Sequence, residues 1–169
     1  MKLAILKELR PGEARVAGSP DAVRKLIQLG FEVAVESGAG AGASIPDATF
    51  RDAGASIADD AGAALDSADV IFKVQRPIVE GGAKSELATM PKGALLIANL
   101  QALAHGNDME ACAEAGITAF AMDLMPRITR AQAMDVLSSQ SNLAGYRAVL
   151  EEAAEIGRAF PMMMTAAGT

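Results

Sequence analysis

Tryptophan is absent from these 169 residues, and cysteine and histidine occur once each, as Cys112 and His105. One cysteine excludes a disulfide framework within the chain. One Cys with one His cannot supply a typical zinc site, so no metal is expected. Aromatic residues are only 4% of the sequence. Ala, Gly, Val, Leu and Ile must therefore build the interior, which is the usage of α/β proteins with helices packed closely on a sheet. No apolar run approaches the ~18 residues of a membrane span. Positive charge is also short: 15 Lys and Arg stand against 21 Asp and Glu, a net charge of −6. That excludes the basic stripe of a nucleic-acid binder. An anionic ligand would need a local positive site acting against the overall field. The opening "MKLAILKELRPGE" places charges on both sides of a short apolar run, unlike a secretory signal. A soluble, cytoplasmic protein is expected. Cys112, inside the Ala-rich "MEACAEAG", reads as a small buried residue.

What is present is a strand-then-helix rhythm. The apolar runs "KLAIL", "FEVAVE", "VIFKV", "ALLIAN" and "ITAFAM" read as strands. They are near-continuous rather than alternating, which suits a parallel sheet buried on both faces. Between them, "SPDAVRKLIQLG" predicts a helix with Ser19 as N-cap, Pro20 at its first position and Gly30 as its stop. Val23, Leu26, Ile27 and Leu29 give it one apolar face. Shorter helices are predicted in "PDATFRDAG", "DDAGAALDSA" and "NDMEACAEAG", the last stopped by Gly116. Strands alternating with helices argue for an α/β fold with a doubly wound parallel sheet. From Ser141 the pattern changes to some 20 residues of helix, with Leu143, Tyr146, Leu150, Ala153 and Phe160 on one broad apolar face. Gly145 and Gly157 each weaken that helix by ~1 kcal/mol relative to Ala.

Three stretches could carry chemistry. "ESGAGAGAS" matches G-x-G-x-x-A at Gly38, Gly40 and Ala43, but the dinucleotide fingerprint needs a helix that starts at its glycines. Here the helix starts near Pro46, so a turn needing small residues is the better reading. In "VIFKVQRP", Lys73 must emerge at the strand end or find a partner, because an unpaired buried charge is costly. Gln75 and Arg76 continue toward the carboxyl edge, where open α/β sheets bind ligands, and Arg15 follows the first strand to the same edge. Plain surface charge is the alternative. In "MPRITRAQAMDVLSSQSN", residues 125–142, a helical reading puts Gln132, Asp135 and Ser138 on one face, with Arg127 just before. This donor and acceptor set suits a planar amide plus hydroxyls. The alternative is a capped, solvated helix with Asp135 paired to an arginine.

"RPGEARVAGSPDAVRKLIQLGFEVAVESGAGAGASIPD", "KVQRP", "AMDLMPRITRAQAMDVLSSQSNLAGYRAV" and "RAFPMMMTAAGT" together resemble the alanine dehydrogenase and transhydrogenase amino-terminal family. The third segment resembles the NAD(H)-binding component of proton-translocating NAD(P) transhydrogenases. The resemblance implies a flavodoxin-like lobe over residues 1–137. A long helix and tail, residues 138–169, lead toward a Rossmann lobe, and NAD(H) lies between the lobes. It implies that Arg127 and Ser138 meet the nicotinamide carboxamide, with Thr129 beside them. Gln132 lies near the nicotinamide ribose, and Asp135 holds Arg127 and the ribose region. Gln132 and Asp135 are thus the expected catalytic positions. NADP(H) is implied on a partner component and proton movement in a membrane component, with this protein a homodimer attached peripherally to the inner (plasma) membrane through those partners. The other branch of the family deaminates alanine with a lysine and a histidine. The lysine matches Lys73 and the substrate-carboxylate arginine matches Arg15, but the histidine position holds Gln101. Without it a deamination lacks its proton shuttle. An alanine-dehydrogenase-like oxidoreductase and a non-catalytic, partner-binding α/β remnant remain the alternatives. No strand–GxGxxG–helix unit occurs in these residues, so the Rossmann lobe is expected on a longer form of the chain or on a second chain. Exposed apolar surface is then expected on the terminal helix and on Met162, Met163 and Met164.

Overall fold

A computed structural model describes residues 1–79 and 85–157. Six strands form one all-parallel sheet: β1 Lys2–Ile5, β2 Glu32–Glu36, β3 Ser56–Ala58, β4 Val70–Gln75, β5 Leu95–Asn99 and β6 Thr118–Ala121. Their order is β3-β2-β1-β4-β5-β6. The order reverses between β1 and β4, so the switch point where such sheets take ligands lies at the carboxyl ends of those two strands. All six follow the 3-2-1-4-5-6 order of doubly wound dinucleotide-binding sheets rather than the five-strand flavodoxin order expected, because β3 adds a strand beside β2. The sequence does not announce β3: "SIA" is three residues long and lacks an apolar run.

The helices are α1 Pro20–Gln28, α2 Asp47–Asp52, α3 Ala61–Leu65, α4 Gly106–Glu114 and α5 Val136–Glu155. Ser19 caps α1 through the Ala22 N–H at 3.2 Å, and Asp60 caps α3 through the Ala63 N–H at 2.8 Å. Gly30 and Gly116 follow α1 and α4 at φ 91° and 74°, where a side chain would be strained. The core has two layers. Leu3, Ile5, Val33 and Val35 pack with Val23 of α1 and Phe50 of α2. Ala4, Leu6, Ile71 and Leu96 pack with Leu65 of α3 and Cys112 of α4. Alternate residues of one strand thus serve opposite faces, which is the doubly wound arrangement. Leu29 departs from the expected apolar face: it is 75% exposed, because it lies at the α1 C-cap rather than within the helix.

Burial fades toward β6. Ile5, Phe72, Ile97 and Phe120 form one cross-strand row. The row runs from a fully buried Ile5 to a Phe120 that is 57% exposed. The expectation of strands buried on both faces therefore fails at this edge, where Thr118 and Ala119 are exposed as well.

The chain divides into two compact units, Met1–Met125 and Pro126–Thr169. The second unit contains a 3₁₀ turn, Thr129–Met134, followed by α5. At 20 residues, α5 is ~30 Å long. It starts five residues earlier than the sequence pattern suggests and ends at Glu155. None of its residues is buried, and Leu143, Tyr146, Val149 and Leu150 are exposed. Phe160, Met162, Met163 and Met164 lie outside the described residues.

Candidate functional site

The stretch holding Arg127, Thr129, Gln132, Asp135 and Ser138 is not one helix. Thr129–Met134 is a 3₁₀ turn and Asp135 is extended, at φ −75° and ψ 93°. The helical spacing expected for Gln132, Asp135 and Ser138 is thus broken at its middle residue. The cause is the aspartate itself. Its Oδ1 accepts the Leu137 and Ser138 backbone N–H groups, both at 3.0 Å, and its Oδ2 accepts the Ser138 hydroxyl at 2.6 Å. An N-cap is non-helical by definition, so the residue that starts α5 also ends the turn before it. The Ser138 hydroxyl and N–H, with a smaller contribution from the Arg127 charge, hold the Asp135 carboxyl below the usual carboxylate range. Asp135 stays ionised at neutral pH, and any stability it contributes is present above the ordinary carboxylate range and is lost as pH falls from there through the lowered value. Arg127, Gln132 and Ser138 are exposed. They present five guanidinium donors, an amide with both donors and an acceptor, and a hydroxyl.

A second cluster stands at the switch point. Arg15 donates through Nε at 2.8 Å and Nη2 at 2.6 Å to the two oxygens of Glu13. The Gln75 amide also donates to Glu13, at 2.8 Å. The Arg15 hydrogen bonds come first among the causes that bring the Glu13 carboxyl down to about 2. The stability that this pair contributes is fully present above the ordinary value of 4.5 and is lost as pH falls from there toward about 2. Lys73 lies deeper. Its Nζ is 2.5 Å from Glu86 and 3.6 Å from Glu8, and its side chain is 1% exposed. Glu8 also accepts the Val74 N–H at 2.6 Å, and Glu86 accepts the Ile78 N–H at 2.7 Å. Lys73 is thus neither a surface charge nor a ligand-facing group. It is neutralised inside the protein, as a buried ammonium must be. Burial pushes the Glu8 carboxyl up, against the pull of Lys73.

Glu8 and Glu86 have no signature in the sequence: Glu8 accepts from a residue 66 positions away, and Glu86 follows a long connection from β4. Glu13 pairs locally with Arg15, but its bond to Gln75 spans 62 positions. The only cue is the need of Lys73 for a partner. Beside this cluster is a cavity of ≈150 Å³ lined by Lys7, Glu13, Arg15, Gly38 and Gly42, among others. Ligand pockets are typically about 300–1,000 Å³, so this one is small for a dinucleotide.

The glycine-rich turn is closed to phosphate. The Gly38 N–H donates to Asp47 at 2.9 Å, and the same carboxylate takes the Ser37 hydroxyl at 2.8 Å. A Cβ on Gly40 would stand 2.4 Å from the Ile45 carbonyl oxygen, and one on Gly42 2.8 Å from that of Ala14. These glycines permit close packing of backbone on backbone, and the helix that follows starts at Asp47, as the sequence suggests.

The model for the family described as alanine dehydrogenase/PNT, N-terminal domain matches residues 4–144. The chain is 60% identical over 169 residues to the first portion of the NAD(P) transhydrogenase alpha subunit of Rhodospirillum rubrum, covering 100% of this chain and 44% of the relative. The alanine dehydrogenase of Halomonas elongata is 33% identical over 150 residues, which is 88% of this chain and 38% of that enzyme. Among solved structures, the transhydrogenase from Sinorhizobium meliloti superposes with a TM-score of 0.88 at 52% identity, covering 99% of this chain and 48% of that one. The chain thus spans less than half the length of these relatives.

Proposed function

Because the chain belongs to the alanine dehydrogenase/PNT N-terminal domain family, we propose that it forms part of the NAD(H)-binding component of a proton-translocating NAD(P) transhydrogenase. The observation that carries this is the 60% identity along all 169 residues to a transhydrogenase alpha subunit, against 33% to an alanine dehydrogenase. The residues agree with it. Gln101 stands where deamination would use a histidine, and Lys73 is sealed between two carboxylates. Direct hydride transfer requires no protein acid or base. It requires reacting carbons held roughly 3–3.5 Å apart with water kept out.

In this reading NAD(H) supplies or accepts the hydride, and the 127–138 stretch holds its nicotinamide end. The exposed donors and acceptors there suit a carboxamide and ribose hydroxyls. Arg127 and Ser138 hold the carboxamide, with Thr129 beside them. Gln132 reaches the nicotinamide ribose and the second cofactor. Asp135, ionised and fixed by three hydrogen bonds, steadies Arg127 and the first turn of α5. NADP(H) sits on a partner component, and a membrane component couples the transfer to proton movement. Among the described residues no helix is long and apolar enough to cross a membrane. Attachment to the inner membrane would run through those partners, and the intact protein would act as a homodimer.

The test is a pair of assays on the intact protein with its partner component. Transfer from NADPH to an oxidised NAD analogue should proceed, while NADH with pyruvate and ammonia should give nothing. The second assay matters because Arg15, oriented by Glu13 and 43% exposed at the switch point, could still receive a small carboxylate. Turnover in the second assay alone would replace the transhydrogenase reading with the alanine dehydrogenase one.

Within the loop, Arg127→Ala should weaken NADH binding by about 1.5–3 kcal/mol, the scale of a hydrogen bond from a charged group, or roughly ten- to a hundredfold. Arg130→Ala should change it little. Equal losses for the two arginines in calorimetric titrations would show that the binding face is wrongly assigned.

A further inference from the structure

The chain leaves β6 through a 3₁₀ turn, Met122–Leu124, and that turn carries a carboxylate bonded back to the end of β5. Asp123 Oδ1 accepts the Leu100 N–H at 2.7 Å, and Oδ2 accepts the Gln101 N–H at 3.0 Å. Gln101 is a non-glycine residue at φ 50°, a conformation that persists only where the surroundings over-determine it. Its carbonyl is held from the other side by the N–H groups of Ala104 at 2.9 Å and His105 at 3.1 Å. Leu100 beside it is 1% exposed, so one end of this clamp is rooted in the core. The other end lies four residues before Arg127. β6 cannot fix the exit by burial, since most of its residues are exposed.

We infer that Asp123 is a positioning residue: its two hydrogen bonds fasten the segment that feeds the 127–138 loop to the rigid end of β5. This rests on the reading of that loop as the nicotinamide site. The carboxylate is chemically necessary, because it must accept from two N–H groups at once. An asparagine of the same size would set its own NH₂ against one of them.

The experiment uses Asp123→Asn in the intact protein and follows amide hydrogen exchange together with single-turnover hydride transfer. Peptides covering residues 100–101 and those covering 126–135 should both exchange faster, by about fivefold or more, as a local anchor is lost. Hydride transfer should fall about tenfold with the NADH dissociation constant changed less than about threefold, the pattern of misplacement rather than lost contact. Asp123→Glu keeps both acceptors on a longer arm. It should recover part of the rate, and it serves as the test should the asparagine variant unfold. Gln101→Gly removes the backbone strain and keeps both N–H groups, so exchange in 126–135 should stay as in the wild type. Faster exchange confined to residues 100–101 in Asp123→Asn would overturn the proposal, leaving Asp123 a local brace for the Gln101 turn. Absence of hydride transfer in the wild type would instead sink the transhydrogenase reading, and the exchange measurement would still decide the role of Asp123.

Discussion

Residues 1–169 on their own are expected to bind NADH at least ~10³-fold more weakly than a protein as long as the relatives, a difference of about 4 kcal/mol. In the proposed reading, the loop from Arg127 to Ser138 meets the nicotinamide end only. The pyrophosphate needs backbone N–H groups at a helix N-terminus, and the one glycine-rich turn among the described residues has already committed its Gly38 N–H to Asp47. A carboxylate at that spot also repels phosphate. Each hydrogen bond forgone is worth ~1 kcal/mol or more, and a site open on one side leaves water to compete for the rest. Fluorescence titration of NADH, first against residues 1–169 and then against the same residues extended to the length of the relatives, measures the difference. Micromolar binding by a monomeric 1–169, with its state checked by sedimentation, would contradict this division of the site.

The largest stability effect is expected at Lys73. Lys73→Met should cost about 3–5 kcal/mol, the usual result of removing one partner from a buried ionic cluster. At ~2–4 °C per kcal/mol for a chain of this size, the midpoint should fall on the order of 10 °C. The loss comes from what stays behind. Glu8 and Glu86, with side chains 2% and 10% exposed, would face each other without a cation. Glu8, already pushed up by burial in the wild type, would rise further. A carboxylate whose pKa is raised on folding favours the fold below its unfolded pKa and loses that contribution as pH rises through the folded value. The penalty of Lys73→Met should therefore grow from acid toward neutral pH. A midpoint unchanged from wild type, or a penalty that shrinks with rising pH, would show that the cluster does not bear on stability.

How much of this was legible depended on the distance over which each residue acts. Ser19, Pro20 and Gly30 act within one helix, and α1 lies where they place it. The need of Lys73 for a partner was legible from its strand, but Glu8 and Glu86 were not, since the sheet and the connection after β4 bring them there. The short strand β3 forms because β2 offers it an edge to pair with, a tertiary cause without a local trace. In the loop, the residue types were readable and the geometry was not. A helical period drawn through Gln132, Asp135 and Ser138 overlooks that an aspartate followed three residues later by a serine is also a cap. Asp135 takes the cap, and the polar set is presented by a turn and a helix start rather than by one helix face.

Gln132→Asn in the intact protein with its NADP(H)-binding partner tests the central claim most directly. The claim is that this loop holds the nicotinamide for direct hydride transfer. Shortening the side chain by one methylene leaves the amide chemistry intact and moves it by about 1 Å, a misplacement able to cost on the order of 10²-fold in rate. Stopped-flow single turnovers should show a loss of about that size, while calorimetry shows the NADH dissociation constant changed less than ~3-fold, since only interactions stronger in the transition state set the rate. Parallel losses in rate and affinity, or no loss in either, would contradict the account.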